Sequence, residues 1–148
     1  MEREKRILVT DDDAAIRALL VTILRRRGFK VDTARDGNEA MQRCTQCRYS
    51  LVVLDLMMMS GYEFLKAIEA LEPESRPMVL VLTAGNPPHA LNPDVVAGSM
   101  HKPLDIEMLV DTVAACVTTS RERLQAEGCP AAETDGRIPA SESGTKPN

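Results

Sequence analysis

The sequence predicts an α/β domain in which helices cover both faces of a parallel five-stranded sheet. Segments rich in Val, Ile and Leu alternate along the 148 residues with segments that repeat apolar residues at helical spacing, as in strand–helix–strand units. Residues 51–54 are four consecutive Leu and Val side chains, which indicates a strand buried on both faces. Short polar stretches follow the predicted strands directly, so that polar groups are expected at one edge of the sheet.

The first strand is predicted at residues 5–10 and is followed by three aspartates. A helix then runs to Arg27, because apolar residues recur every three or four positions from Asp13 onward and Gly28 supplies an end signal. The other predicted strands are residues 29–34, 51–55, 78–82 and 95–100, and the other predicted helices are residues 38–47, 62–71 and 105–127.

One helix that the alternation would require is expected to be short or missing. Residues 85–94 contain Gly85, Pro87, Pro88 and Pro93, and prolines at this density prevent a regular helix of useful length. Residues 128–148 are dominated by Gly, Pro, Ser, Thr, Glu and Ala, a composition that buries too little apolar surface to offset ordering entropy. We therefore expect a folded domain at residues 1–127 and a disordered tail at 128–148.

The composition of the chain argues against some classes of partner. The formal net charge is -4 and no large basic cluster offsets it, which argues against nucleic acid as the main partner. No apolar stretch approaches the roughly 20 residues that cross a bilayer, and the charged N-terminus lacks a secretory core. We expect a cytoplasmic protein without a membrane partner.

Five polar side chains follow different predicted strands and are expected to converge: Asp11, Asp12, Asp55, Thr83 and Lys102. Neighbouring carboxylates repel each other, and a hard divalent cation with oxygen ligands, such as Mg²⁺, relieves this. A Lys ammonium and a hydroxyl beside the metal suit a phosphoryl group, and a carboxylate can itself accept one.

The segments that carry these residues resemble the receiver domain of two-component response regulators. The resemblance rests on Ile-Leu-Val-Thr-Asp-Asp-Asp at 7–13, Leu-Val-Val-Leu-Asp-Leu-Met-Met at 51–58, Leu-Thr-Ala at 82–84 and Lys-Pro at 102–103, and it covers about residues 5–117. It implies a flavodoxin-like fold with strand order 2-1-3-4-5, and it makes residues 1–127 a receiver domain.

The resemblance also implies roles for single residues. Asp55 would be the phospho-acceptor, Asp12 a direct Mg²⁺ ligand and Asp11 a ligand through water, with the backbone carbonyl of Met57 completing the protein's share of the shell. Thr83 would bond the phosphoryl group.

Lys102 would pair with the charge of the phosphoryl group, and the following Pro103 resembles a family residue that often has a cis bond. The predicted function is phosphorelay signalling: a stand-alone receiver takes phosphate from a histidine kinase or phosphotransfer protein and then binds a downstream protein. It would not be an ordinary enzyme, because self-phosphorylation and slow hydrolysis are its only chemistry.

The sequence departs from the family pattern in three places. Gly61 follows Asp55 by six residues where the family has about eight, so the connecting loop is two residues short. Residues 85–94 replace a regular fourth helix, and Ser99 stands where a large switching side chain is usual, with Leu104 replacing a common Phe. We hypothesise that phosphorylation is retained while output through an aromatic switch is reduced or rerouted.

Two other functions remain open at this stage. The chain could be a degenerate receiver that acts as a phosphate-independent interaction module, although its complete set of acids, hydroxyl and Lys argues against this. It could also be a Mg²⁺-dependent phosphatase with an Asp nucleophile, although such enzymes typically carry a second acid where Met57 stands.

Overall fold

The computed structural model describes residues 6–85 and 91–120. The strands are β1 (Arg6–Thr10), β2 (Lys30–Ala34), β3 (Leu51–Asp55), β4 (Met78–Thr83) and β5 (Val96–His101). The helices are α1 (Ala14–Arg26), α2 (Gly37–Gln46), α3 (Gly61–Glu69) and α4 (Ile106–Ser120), with a 3₁₀ turn at Pro73–Ser75. The predicted elements are all present among the described residues. Their ends lie within two positions of the predicted ones, apart from the end predicted at residue 127, which lies outside the described residues.

All strand pairs are parallel and the sheet order is β2-β1-β3-β4-β5. This confirms the predicted flavodoxin-like fold and places β3 at the centre. The described residues between β4 and β5, at 84–85 and 91–95, form bends and turns without a helix, in agreement with a short or missing fourth helix. Residues 86–90, the end of the last predicted helix at 121–127, and the predicted tail at 128–148 lie outside the described part of the chain.

Two apolar layers hold the sheet. Alternate residues of β3 face opposite sides, so Val52 and Leu54 pack with α2 and α3, while Leu51 and Val53 pack with α1 and α4. All five β3 residues are buried. The apolar strand thus carries its terminal acid, Asp55, to the sheet edge inside a closely packed frame.

Asp13 caps the first helix. Its Oδ1 accepts hydrogen bonds from the backbone N–H groups of Ala15 at 2.9 Å and Ile16 at 3.3 Å, which satisfies two free donors of the first turn of α1. Since Asp13 has this role, the two aspartates before it are available for other contacts.

Candidate functional site

The carboxyl ends of four strands bring the predicted residues together. Asp11, Asp12 and Asp55 each offer one carboxylate oxygen, and these oxygens lie within 4.8 Å of one another. Thr83 ends β4, and Lys102 follows β5 directly. The acids from two strand tips therefore converge as expected, and Thr83 and Lys102 lie at the carboxyl ends of the other two strands.

Lys102 connects the two buried acids of the site. Its Nζ donates to Asp11 Oδ2 and to Asp55 Oδ2, both at 3.2 Å, and both carboxylates are almost fully buried. Partial burial acts to lower the pKa of Lys102, but the hydrogen bonds and charges of the two aspartates outweigh it and raise the pKa. Lys102 therefore stays an ammonium and partly offsets the negative charge.

Asp11 is the most constrained acid. Its Oδ1 accepts a hydrogen bond from the Asp13 N–H at 2.9 Å, and its own N–H donates to Ala34 O at 3.2 Å. Burial, followed by the nearby charge of Asp55, raises the pKa of Asp11 above its usual value despite the opposing contacts with Asp13 and Lys102. Burial thus disfavours the charged form of Asp11 even with the Lys102 ammonium beside it.

Thr83 carries a buried hydroxyl without a hydrogen-bond partner in the described part of the chain. Its side chain is buried, and Oγ1 has no hydrogen-bond partner among residues 6–85 and 91–118. The Thr83 carbonyl, in contrast, accepts the Lys102 N–H at 2.7 Å. A buried hydroxyl without a partner costs about 1–3 kcal/mol.

The loop between β3 and α3 closes tightly around Asp55. The Met57 N–H donates to Asp55 Oδ1 at 3.0 Å, and the Met58 N–H donates to the Asp55 carbonyl at 3.2 Å. Ser60 adopts a left-handed conformation with φ 65°, which a residue other than Gly rarely does. The side chains of Met57 and Met59 are exposed whereas Met58 is buried.

The structure shows where two residues that depart from the family pattern lie. Ser99 is exposed on β5 and Leu104 is half-buried against the core layer of α1 and α4. The peptide bond between Lys102 and Pro103 is cis, as the resemblance suggested.

Two contacts of this site were not predicted from the sequence. The Arg17 Nη1 donates to the Asp11 carbonyl at 2.7 Å, and the Gly37 N–H donates to the Met59 carbonyl at 3.0 Å. In the sequence, Arg17 is one of several arginines in the segment of the first helix, and Gly37 is a single glycine that follows Asp36. Neither residue type nor spacing distinguishes these two from residues without a role at the site.

The donor set fits Mg²⁺. Three carboxylates meet with Asp12 still exposed to solvent, and Mg²⁺ prefers one or two carboxylates while keeping several waters. Burial raises the pKa of Asp11, and a bound cation would favour its ionised form. Asp11, Asp12 and Asp55 are thus the described side chains suited to hold the ion.

Comparison with known proteins identifies the family. Residues 7–114 match the family model of the response regulator receiver domain. The chain belongs to this family. Receiver domains accept a phosphoryl group on an aspartate from histidine kinases and signal with it.

The receiver is similar to the transcriptional regulatory protein ResD of Bacillus subtilis, with 37% identity over 84 residues, 55% of this chain and 34% of ResD. The chain thus spans about a third of the length of curated relatives that it matches. Among solved structures, it resembles a CheY-like receiver domain protein from Methanospirillum hungatei, with a TM-score of 0.72 and 28% identity over 81% of this chain and 99% of that one.

A second similar structure is the response regulator TrrA of Thermotoga maritima in complex with Mg²⁺ and BeF. Its TM-score is 0.66 and its identity 31%, over 76% of this chain and 98% of that one. In the part of the receiver that the structure describes, no helix is long and apolar enough to cross a membrane.

Proposed function

We propose that Asp55 is the phospho-acceptor of this receiver, and that Asp11, Asp12 and the Met57 carbonyl hold the Mg²⁺ that the reaction requires. The observation that carries the proposal is the bridge formed by Lys102, which donates at 3.2 Å to carboxylates from two separate strand ends. TrrA was crystallised with Mg²⁺ and BeF, and the similarity of the two structures supports binding of Mg²⁺ by the present chain as well.

The Asp55 carboxylate is held for attack by two contacts on its two oxygens. The Met57 N–H holds Oδ1 at 3.0 Å and Lys102 holds Oδ2 at 3.2 Å. In the transfer, a carboxylate oxygen forms a bond to phosphorus while the phosphorus–nitrogen bond of the donor phosphohistidine breaks and its electron pair stays on the imidazole. When bound, Mg²⁺ supplies charge neutralisation for the phosphoryl oxygens.

Thr83 and Lys102 recognise the product. Among the described residues the Thr83 hydroxyl has no hydrogen-bond partner, so a phosphoryl group attached to Asp55 would give it one. Lys102 already contacts Asp55 and pairs with the added negative charge. Both contacts favour the phosphorylated state over the free carboxylate.

Membership of the family supports part of the proposal about the phosphoryl donor and the downstream partner. The proposed donor is a histidine kinase or histidine phosphotransfer protein, and the proposed output is binding to a downstream protein. The expected absence of a nucleic-acid partner stays a prediction, because ResD is a transcriptional regulator. Action as a stand-alone receiver is likewise a proposal.

Output without an aromatic switch is part of this proposal. Ser99 is small and exposed on β5, so it has no large side chain to exchange positions with Thr83. Backbone amide spectra recorded before and after addition of beryllofluoride and Mg²⁺ test this. Changes largest in residues 95–117, together with partner binding there, would contradict a rerouted output.

Labelling with a small-molecule phosphodonor tests the acceptor. The protein is incubated with acetyl phosphate and Mg²⁺, and the label is located by mass spectrometry after borohydride trapping. We expect stable label on Asp55 and none in Asp55→Asn. Asp13→Asn is the matched control, because it makes the same change at the residue that directly follows Asp12, and Asn also caps helices well.

The alternatives give different results in the same assay. A phosphate-independent interaction module would take no label, and a phosphatase would turn over an added phosphomonoester without retaining label. Label that persists in Asp55→Asn at another residue would also contradict the assignment.

A further inference from the structure

The Arg17 side chain reaches back from α1 to the backbone of the site. Its Nη1 donates to the Asp11 carbonyl oxygen at 2.7 Å in a partly buried setting. A guanidinium donor makes this hydrogen bond stronger than one between neutral groups. The carbonyl belongs to the peptide group that joins Asp11 to Asp12, so this contact fixes the backbone between two proposed metal ligands.

Asp12 depends on that backbone for its direction. The Asp11 carboxylate is fixed by the Asp13 N–H and by Lys102. The Asp12 carboxylate is exposed, and among residues 6–85 and 91–118 no hydrogen bond or ion pair holds it. Its oxygen nevertheless lies within 4.8 Å of the other two acids. The orientation of the Asp11–Asp12 peptide is therefore what directs this side chain toward the site.

We infer that Arg17 is a positioning residue of the metal site: by holding the Asp11 carbonyl, it keeps the Asp12 carboxylate facing Asp11 and Asp55 and thereby increases the affinity for Mg²⁺. The inference rests on the proposed function, since it requires a divalent cation at these acids. Arg17 acts through the peptide and does not itself touch the ion.

The direction of the change in Mg²⁺ affinity distinguishes a positioning role of Arg17 from a purely electrostatic effect of its charge. Arg17 is a cation near a cation-binding site, and Coulomb repulsion alone would make its removal tighten Mg²⁺ binding. A positioning role makes its removal weaken binding, because Asp12 then samples directions away from the other acids. The two explanations predict changes of opposite direction for the same variant.

The chain offers a matched control on the same helix. The Arg25 Nη2 donates to the Val31 carbonyl at 2.9 Å, also partly buried and also across six residues of sequence. Arg17 and Arg25 thus make the same kind of contact with the same separation. Only the Arg17 contact reaches the peptide between Asp11 and Asp12, whereas the Arg25 contact reaches Val31 on β2.

Mg²⁺ binding to the full chain is measured by titration calorimetry for the parent, Arg17→Met and Arg25→Met. Urea unfolding without Mg²⁺ establishes that each variant is folded and how far its stability shifts. We expect Arg17→Met to weaken Mg²⁺ binding about tenfold, as removal of outer-shell partners typically does, and Arg25→Met to leave it unchanged. The Mg²⁺ concentration for half-maximal labelling by acetyl phosphate should rise in parallel, with the rate at saturating Mg²⁺ retained.

Three results would decide against the inference. Unchanged or tighter Mg²⁺ binding by folded Arg17→Met would overturn it alone and leave the proposed function standing. Equal weakening by Arg25→Met would also overturn it, since a general loss of stability would then suffice. No Mg²⁺ binding by the parent protein would instead overturn the proposed metal site itself.

Discussion

Alanine at Gly37 would place a methyl group against the loop that follows the candidate acceptor, Asp55. Gly37 is the first residue of α2 and is buried. A Cβ built there meets the Ser60 carbonyl oxygen, and it comes within 2.6 Å of Ser60 C and 2.8 Å of Ser60 Cβ. Carbon atoms pack at about 3.5–4.0 Å. The loop would therefore have to move by about 1 Å, and its backbone has no flexible side chain to absorb the shift.

The expected loss of stability follows from three contributions. Forcing a methyl group into packed surroundings costs about 1–3 kcal/mol. Movement of the loop also breaks the Gly37 N–H to Met59 O hydrogen bond of 3.0 Å, a loss of about 1 kcal/mol. The better helix propensity of Ala returns about 1 kcal/mol. We expect Gly37→Ala to lower the free energy of unfolding by about 2 kcal/mol, the sum of these terms.

Urea unfolding followed by circular dichroism measures this change, with Gly98→Ala as control. Among the described residues, a Cβ at Gly98 on β5 meets Leu80 Cδ1 alone, at an ordinary 3.7 Å. Because Ala loses less backbone entropy than Gly in a strand, this variant should be at least as stable as the parent. Equal midpoints for the Gly37 and Gly98 variants would refute the reasoning, because the contact with Ser60 would then carry no energetic cost.

Three other variants test individual groups. Thr83→Val removes a buried hydroxyl that has no hydrogen-bond partner among the described residues. Without Mg²⁺, the free energy of unfolding of this variant should rise by about 1 kcal/mol, whereas its binding of beryllofluoride should weaken. A variant less stable than the parent would contradict this. Tyr49→Phe removes the 2.7 Å bond from Tyr49 Oη to Asp32 Oδ2 and should cost about 2 kcal/mol in urea unfolding, so an unchanged midpoint would count against it. Burial raises the pKa of Asp11 in the folded state above its ordinary value of 3.8. The contribution of this shift to the free energy of unfolding is therefore complete at pH values below 3.8, and it is lost as the pH rises through the folded-state pKa. Asp11→Asn without Mg²⁺ should therefore gain stability over the parent as pH rises, and a difference independent of pH would be inconsistent with this.

The fold and the members of the site were predictable because they rest on local patterns. Four apolar residues before Asp55 mark a buried central strand, and parallel strands must present their carboxyl ends at one edge. Asp11 and Asp12 follow β1, Thr83 ends β4 and Lys102 follows β5. The topology alone therefore brings these residues to one edge.

The supporting contacts could not be predicted, since they depend on distances between segments far apart in the chain. Nothing in the sequence separates Arg17 from Arg25, although one holds the Asp11 carbonyl and the other Val31. The close approach of Gly37 to Ser60 likewise exists only once α2 and the β3–α3 loop are packed side by side.

Apolar periodicity and residue chemistry are properties of the chain, so the order of strands and helices, the acid that ends the central strand and the type of each candidate ligand could be predicted from residue order. Three features depend instead on packing: the ammonium that bridges two buried carboxylates, the Thr83 hydroxyl without a hydrogen-bond partner among the described residues, and the helix arginine that is bonded to the peptide between two acids. The physical reason is that hydrogen bonds depend on separations of a few tenths of an ångström, and such separations are set by packing rather than by residue order.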